Sequence, residues 1–175
     1  LIRADRFSVV SRRQLYSLMG ELGAVGRLNR HTATYDFAVH IPNACHPMFA
    51  DPPPPSEPMR GSVFPRDAFA VVWSGTYNAW TDVEMLFRAI EAALAACPDM
   101  HYVSTGGAVF GHDDLTYERF ESLVATSAHK HRYHLLGWIQ AERLPILYRD
   151  ADLGLCVESR NHETLLGARN RTINM

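Results

Sequence analysis

The sequence predicts an α/β protein in which a Rossmann-like parallel sheet has helices on both faces and follows a short β-α piece of another domain. From residue 69 onward, apolar strands alternate with amphipathic helices, the order that produces such a sheet. These strands are apolar almost throughout, which is typical of strands buried on both faces. A proline-rich stretch separates them from one strand and helix nearer the amino end. We therefore expect two domains.

The amino-terminal piece is predicted from three segments. The run FSVVS, 7–11, favours a strand, and 12–23 has apolar residues at helical spacing, closed by Gly23: Leu15, Leu18, Met19 and Leu22. A second strand is expected over 35–41. We assign 1–50 to the end of an amino-terminal domain.

Residues 51–61, DPPPPSEPMRG, predict a semi-rigid linker, because prolines lack amide donors and favour the polyproline II conformation. We assign 62–175 to the second domain. Its predicted strands are 69–75, 100–107, 133–138 and 153–159.

The helix expected over 81–97 has a capping box of Thr81 with Glu84 and an apolar stripe of Val83, Leu86, Phe87, Ile90, Leu94 and Cys97. The next begins after Asp113 or Asp114 and directs Tyr117, Phe120 and Val124 inward. A short helix is expected around 144–148 and a last one from Glu163, still running at Met175.

Composition excludes several classes of protein. A net charge of −2 argues against nucleic acid as a partner. No apolar run reaches the about 18 residues that predict a membrane span. Three widely spaced cysteines favour a reducing compartment. We expect a cytoplasmic protein, with peripheral contact at the inner membrane face as an alternative. The start LIRADRF lacks an initiator Met and a signal peptide, so we expect a fragment.

In open parallel sheets, ligands bind at the carboxyl ends of the strands. Neither a dinucleotide fingerprint nor a P-loop occurs there, which argues against a nicotinamide dehydrogenase and a P-loop nucleotidase. Two interpretations fit each glycine at these strand ends, Gly75, Gly106 and Gly107. The glycine either forms a simple turn or exposes backbone that a ligand can approach. Trp138 with Ile139 either packs under a loop or meets a nucleobase.

Glu163 lies at a predicted helix start, where amide groups and the helix dipole favour anions. Arg169 and Arg171 follow closely, so a diphosphate site and a solvated helix face both fit. Two interpretations also fit His162: it orients a phosphate, or it is an ordinary surface residue. Among the histidines at 129, 131 and 134, two at alternate positions of a strand can meet one ion. No acidic or thiol third ligand stands at suitable spacing, so we predict no metal site.

The runs WSGTYNAWTDVEMLFRAI, STGG, YHLLGWIQAERLPILYRDADLGL and HETLLGARNR resemble the carboxyl-terminal donor-binding domain of GT-B glycosyltransferases of the retaining, group-1 type. The resemblance implies transfer of a sugar from a nucleotide-diphosphate donor, such as a UDP- or GDP-sugar, to a carbohydrate, lipid or other hydroxyl acceptor. It implies no metal or other cofactor. The resemblance also makes 1–50 the end of the amino-terminal, acceptor-type domain. A fragment of this kind is expected to be inactive alone.

By this resemblance, Gly75 and Thr76 lie by the donor phosphates, Gly107 lines the cleft with Gly106, and Trp138 and Ile139 lie beside the base. Glu163 is the implied catalytic residue near the transferred sugar. The diphosphate is held by the amides that follow Glu163 and by the residue before it. These residues are His162, Thr164, Leu165 and Gly167. The family usually has a second glutamate after seven intervening residues, and that position is Arg171 here. Arginine charge is the expected replacement.

A different class of function also fits the sequence. Without the second glutamate, the same sheet suits a non-catalytic α/β module that binds a nucleotide or a protein.

Overall fold

The computed structural model describes residues 1–50 and 57–167, which divide into two compact units. The first contains Leu1–Ala44 and residues 160–167, and the second contains Cys45–Ser159 without residues 51–56. In the described ranges, no helix has the length and hydropathy of a membrane span. The predicted domain boundaries at 50 and 61 stay predictions.

The elements alternate along the chain. The strands are β1 Phe7–Val9, β2 Ala38–His40, β3 Phe69–Ser74, β4 Met100–Thr105, β5 Tyr133–Leu135 and β6 Leu153–Gly154. The helices are α1 Arg12–Ala24, α2 Pro47–Ala50, α3 Val83–Ala96, α4 Leu115–Thr126, α5 Leu144–Asp150 and α6 His162–Leu166. Single 3₁₀ turns at Lys130–Arg132 and Ala141–Arg143 precede β5 and α5.

The first unit pairs β1 with β2 in parallel, with Phe7 opposite Ala38. Helix α1 begins after Ser11. The Ser11 hydroxyl accepts a hydrogen bond from the amide of Gln14 and so satisfies one free donor of the first turn. Ser11 also donates to the carbonyl of Leu166 at the end of α6. The strand and helix expected near the amino end are therefore present, although both strands are shorter than predicted.

The second unit is built on a four-stranded parallel sheet in the order β5-β4-β3-β6. The chain moves outward from β3 to β4 and β5, then returns to place β6 on the other side of β3. This reversal is the topological switch point at which doubly wound sheets bind ligands. The predicted α/β, Rossmann-like fold is confirmed.

Helices cover both faces because side chains alternate along the strands. Val71, Trp73 and Tyr102 pack with the buried side of α3 and α4. Ala70, Val72 and Val103 lie in a second core with Ile146 and Leu147 of α5. The inward positions of α4, Phe120 and Val124, are buried as predicted.

Helix α3 differs from its prediction at both ends. Its cap is Asp82, whose carboxylate accepts the amide of Met85 at 2.9 Å, while Thr81 is buried. Glu84 instead pairs with Arg119 of α4 at 2.6 Å. The capping box was therefore wrong by one residue. Cys97, expected in the apolar stripe, is exposed because the helix has already ended.

The last two elements are shorter than expected. Only Leu153 and Gly154 of the strand predicted over 153–159 pair with β3. Helix α6 ends at Leu166, and Gly167 is extended with φ of −66°. The helix predicted to continue to Met175 was therefore wrong in its length, and residues 168–175 lie outside the described part.

The segment before β3 is fastened to the second unit by two aspartates. Asp150 accepts the amide of Met59 at 2.7 Å, and Met59 is buried in the core beside α5. Asp152 accepts the amide of Ala70 at 2.7 Å and pairs with Arg60 at 2.6 Å. Residues 57–61 of the predicted linker are thus packed, while 51–56 lie outside the described residues.

Candidate functional site

Three neighbouring strands each end near a glycine in the left-handed region. The φ angles are 118° at Gly75 after β3, 92° at Gly106 after β4 and 63° at Gly137 after β5. Other residues adopt such angles only with strain, so glycine is the residue expected at each turn. The three turns place bare backbone along the carboxyl edge of the sheet.

These turns are held together by hydrogen bonds that extend the sheet. The amide of Gly75 donates to the carbonyl of Thr105 at 3.0 Å, and that of Gly106 donates to the carbonyl of Gly137 at 2.7 Å. The Thr105 hydroxyl reaches the same Gly137 oxygen at 3.0 Å. The amide of Tyr77 donates to the carbonyl of Gly107 at 3.1 Å. The edge is therefore preorganised.

A cavity of about 230 Å³, here called the glycine cavity, opens at this edge. Its lining comes from the ends of β3, β4 and β5 and from the turn before α5: Ser74, Gly75, Thr105, Gly106, Trp138, Ile139, Ala141 and Leu144. None of these eight side chains carries a charge. Four of them were predicted site residues: Gly75, Gly106, Trp138 and Ile139. Thr76 and Gly107 follow immediately in the chain after Gly75 and Gly106.

A second concavity, here called the Arg143 hollow, adjoins the first. It has a volume of about 510 Å³ and is lined by Trp138, Ile139, Gln140, Ala141 and Arg143. The hollow is within the range of about 300–1,000 Å³ found for ligand pockets. Three residues line both concavities, so they form neighbouring parts of one candidate site.

Trp138 joins two loops at this site. Its indole nitrogen donates to the carbonyl of Ala108, in the loop after β4, at 3.2 Å, while 65% of the residue is exposed. The polar edge of the ring is satisfied while much of the residue stays accessible. An exposed aromatic surface of this kind can stack on a ligand ring.

The hydroxyl groups beneath the cavity are used within the protein. Tyr148 donates to Ser74 at 2.7 Å. Deeper in the core, the Tyr77 hydroxyl lies 2.9 Å from that of Tyr102 and 2.5 Å from that of Ser104. Burial, followed by the neighbouring Tyr77, raises the pKa of Tyr102 well above its usual value. These hydroxyl groups support the strand ends, and the raised pKa keeps Tyr102 protonated at neutral pH.

The remaining predicted residues lie in the first unit, where α6 begins. His162 and Glu163 are in its exposed first turn. The amide of Thr164 donates to the Asn161 side chain at 2.8 Å, and those of Leu165 and Gly167 donate to the carbonyls of Asn161 and Glu163. A diphosphate bound by these amides would have to replace the Asn161 cap. The roles of His162, Glu163, Thr164, Leu165 and Gly167 stay predictions, and Arg169 and Arg171 lie outside the described residues.

The histidine-rich turn has partners that the sequence did not reveal. His134 of β5 meets His101 of β4, with ring nitrogens 2.9 Å apart. Arg132 donates to His129 at 2.8 Å. Within residues 1–50 and 57–167, no group of three or more potential ligands is arranged for a metal ion.

Sequence reasoning missed several lining residues. The sequence did not single out Ser74 and Thr105, which precede the glycines, although a polar residue at the end of a buried strand was a usable signal. Ala141, Arg143 and Leu144 reach the site through the 3₁₀ turn before α5, and no local pattern marks them.

Comparison with known proteins supports the fold. No family model matches the chain, and no curated protein matches it. Among solved structures, the chain is similar to the pneumococcal O-GlcNAc transferase GtfA, determined in complex with UDP and GlcNAc, with 14% sequence identity and a TM-score of 0.53. The match covers 86% of this chain and 25% of that one, so this chain spans about a quarter of that structure's length. The likeness shows a glycosyltransferase-like fold.

Proposed function

We propose that this chain contains the donor-binding part of a retaining, group-1 type GT-B glycosyltransferase. The enzyme transfers a sugar from a nucleoside-diphosphate donor to a hydroxyl of a carbohydrate, lipid or other acceptor. The observation that carries the proposal is the glycine cavity, which opens beside the Arg143 hollow at the carboxyl edge of a parallel sheet. The glycosyltransferase-like fold supports the same assignment.

In this proposal, each loop binds one part of the donor. The base lies at Trp138 and Ile139, and the phosphates approach the backbone at Gly75, Thr76 and Gly107. The Gly75 amide already donates to the Thr105 carbonyl. The glycines would therefore serve the phosphates by letting them come close to the backbone without an intervening side chain. No cofactor is needed for the binding step.

Chemistry is assigned to the region around Glu163, which would lie near the transferred sugar. As the bond between sugar and phosphate breaks, negative charge grows on the departing diphosphate. We assign the stabilisation of that charge to the arginines at 169 and 171 and to the amides after Glu163, which would exchange their present partners in α6 for the phosphate. Cytoplasmic location, with or without contact at the inner membrane face, remains part of the proposal.

The fluorescence of Trp138 provides a test of nucleotide binding. UDP, GDP and ADP are titrated into the chain while tryptophan fluorescence is followed, and at least one should change the emission. Trp138→Phe should remove this change, whereas Trp80→Phe should keep it, because Trp80 lines neither concavity although 38% of it is exposed. No fluorescence response and no calorimetric heat with any nucleotide would refute the proposal.

A cavity-filling variant gives an independent readout. Ala141→Phe places a ring where the two concavities meet and should weaken nucleotide binding at least about tenfold, because the ligand and the ring need the same volume. Ala96→Phe, at the exposed end of α3, is the matched control and should leave affinity unchanged. Equal binding by both variants would exclude the cavity as the site.

A further inference from the structure

We infer that Arg143 selects the nucleobase, favouring uracil or guanine, which carry a carbonyl oxygen at ring position 4 or 6, over cytosine and adenine, which carry an amino group there. The inference rests on the proposed function, since it assumes that a nucleotide occupies this site. It concerns a residue that the resemblance to GT-B enzymes does not assign.

Among the described residues, Arg143 is the one charged residue that lines either concavity. It shares the hollow with Trp138 and Ile139, where the proposal places the base. A base stacked on the Trp138 ring would therefore lie in the hollow that Arg143 also lines.

The guanidinium has donors to offer. Its Nη2 lies 3.8 Å from a Glu57 oxygen and 3.8 Å from the sulfur of Met59, both longer than an ordinary hydrogen bond to oxygen. No other hydrogen bond or ion pair of this side chain is found in the described ranges. The Arg143 side chain is 39% exposed, so it can bind a ligand without breaking a strong interaction within the protein.

Donor chemistry sets the preference. Arginine has five N–H donors and no acceptor. Uracil O4 and guanine O6 are acceptors, and guanine presents N7 beside O6 in a geometry that matches the guanidinium fork. Adenine and cytosine carry an amino donor at the corresponding position, which would face another donor. Gln140, the other polar residue of the hollow, both donates and accepts and therefore does not discriminate.

The test is calorimetric titration of the 175-residue chain with UDP, GDP, ADP and CDP. We expect UDP or GDP to bind about tenfold or more tightly than ADP and CDP, the discrimination that one well-placed arginine supplies. The stronger of UDP and GDP then distinguishes the two carbonyl bases. Arg143→Met should reduce the preference to about twofold or less.

The matched control is Arg149→Met. Arg149 lies in α5, is 37% exposed and makes a similarly long ion pair, 3.6 Å to Asp150, but lines neither concavity. It should keep the preference. Thermal unfolding confirms that each variant is folded.

The outcomes separate this inference from the proposed function. Equal affinities for all four nucleotides, or an unchanged preference in Arg143→Met, would overturn the inference and leave the donor site standing. Binding of none of them by the unaltered chain would overturn both.

Discussion

Gly75 and Gly106 meet so closely that a Cβ atom added at Gly106 would lie 2.2 Å from the carbonyl oxygen of Gly75. This contact between the turns after β3 and β4 fixes the floor of the glycine cavity. Gly106 is also at φ of 92°, so both space and backbone conformation require glycine.

Gly106→Ala should therefore destabilise the second unit by about 3 kcal/mol or more, since backbone atoms must move in addition to the strain of a left-handed alanine. The free energy of unfolding in urea measures the loss. Gly111→Ala is the control, because Gly111 has φ of 75° but nothing within 4 Å of the added atom. It should cost only about 1 kcal/mol. Equal losses would show that the two turns do not touch in solution.

Replacement of Arg132 should destabilise the second unit more than replacement of its other arginines. It is 7% exposed and donates to the carbonyls of Leu94 at 2.8 Å and of Cys97 and Pro98 at 3.0 Å. These interactions satisfy the carboxyl end of α3, which has no basic residue in its own last turn. Arg132→Met should lower the free energy of unfolding by about 2–4 kcal/mol, because buried carbonyls lose charged donors.

Arg88→Met on the exposed face of α3 provides the comparison, with an expected change below about 0.5 kcal/mol. Denaturant titration of both variants decides the question. If Arg132→Met is as mild as Arg88→Met, the arginine does not cap the helix.

Acid should weaken the second unit through the His101–His134 pair. Burial, then Arg132 and His131, lower the pKa of His101 despite the opposing charges of Asp67 and Asp99. Burial, then His101, lowers the pKa of His134. The 2.9 Å contact needs one ring nitrogen as donor and the other as acceptor.

Because both pKa values lie below 6.5 in the folded state, the unfolded chain binds more protons in this range. Stability from this pair is complete above pH 6.5 and is lost as pH falls toward the lowered values. The melting temperature should drop between pH 7 and pH 5 by a larger margin in the unaltered chain than in a double variant, His101→Gln with His134→Gln. Parallel pH profiles would contradict this.

The Tyr77 hydroxyl should contribute measurably to stability, because it bonds two buried groups, those of Tyr102 and Ser104. Tyr77→Phe leaves both without that partner and should cost about 1–3 kcal/mol, measured by thermal or urea unfolding. Tyr16→Phe, at a residue 73% exposed, should cost nothing measurable. A cost near zero for Tyr77→Phe would mean that the other hydroxyls pair without it.

The sequence by itself determined the order of elements and much of the core. The apolar stripe of α3, the inward Phe120 and Val124 of α4, and the glycines at the strand ends are local patterns, set by helical periodicity and by turn conformation. Errors of one residue, as at the Asp82 cap, arise because adjacent polar residues satisfy the same rule. The glycosyltransferase resemblance also came from short runs at strand ends.

Only the tertiary structure decided which of these parts meet. The contacts of Gly75 with Gly106, of His101 with His134 and of Arg132 with Leu94 at the end of α3 join residues 31, 33 and 38 positions apart. They depend on strand order and register, which no local pattern encodes. Arg143 lines the candidate site for the same reason: the crossover from β5 to β6 brings the turn before α5 to the edge where the three glycine turns end.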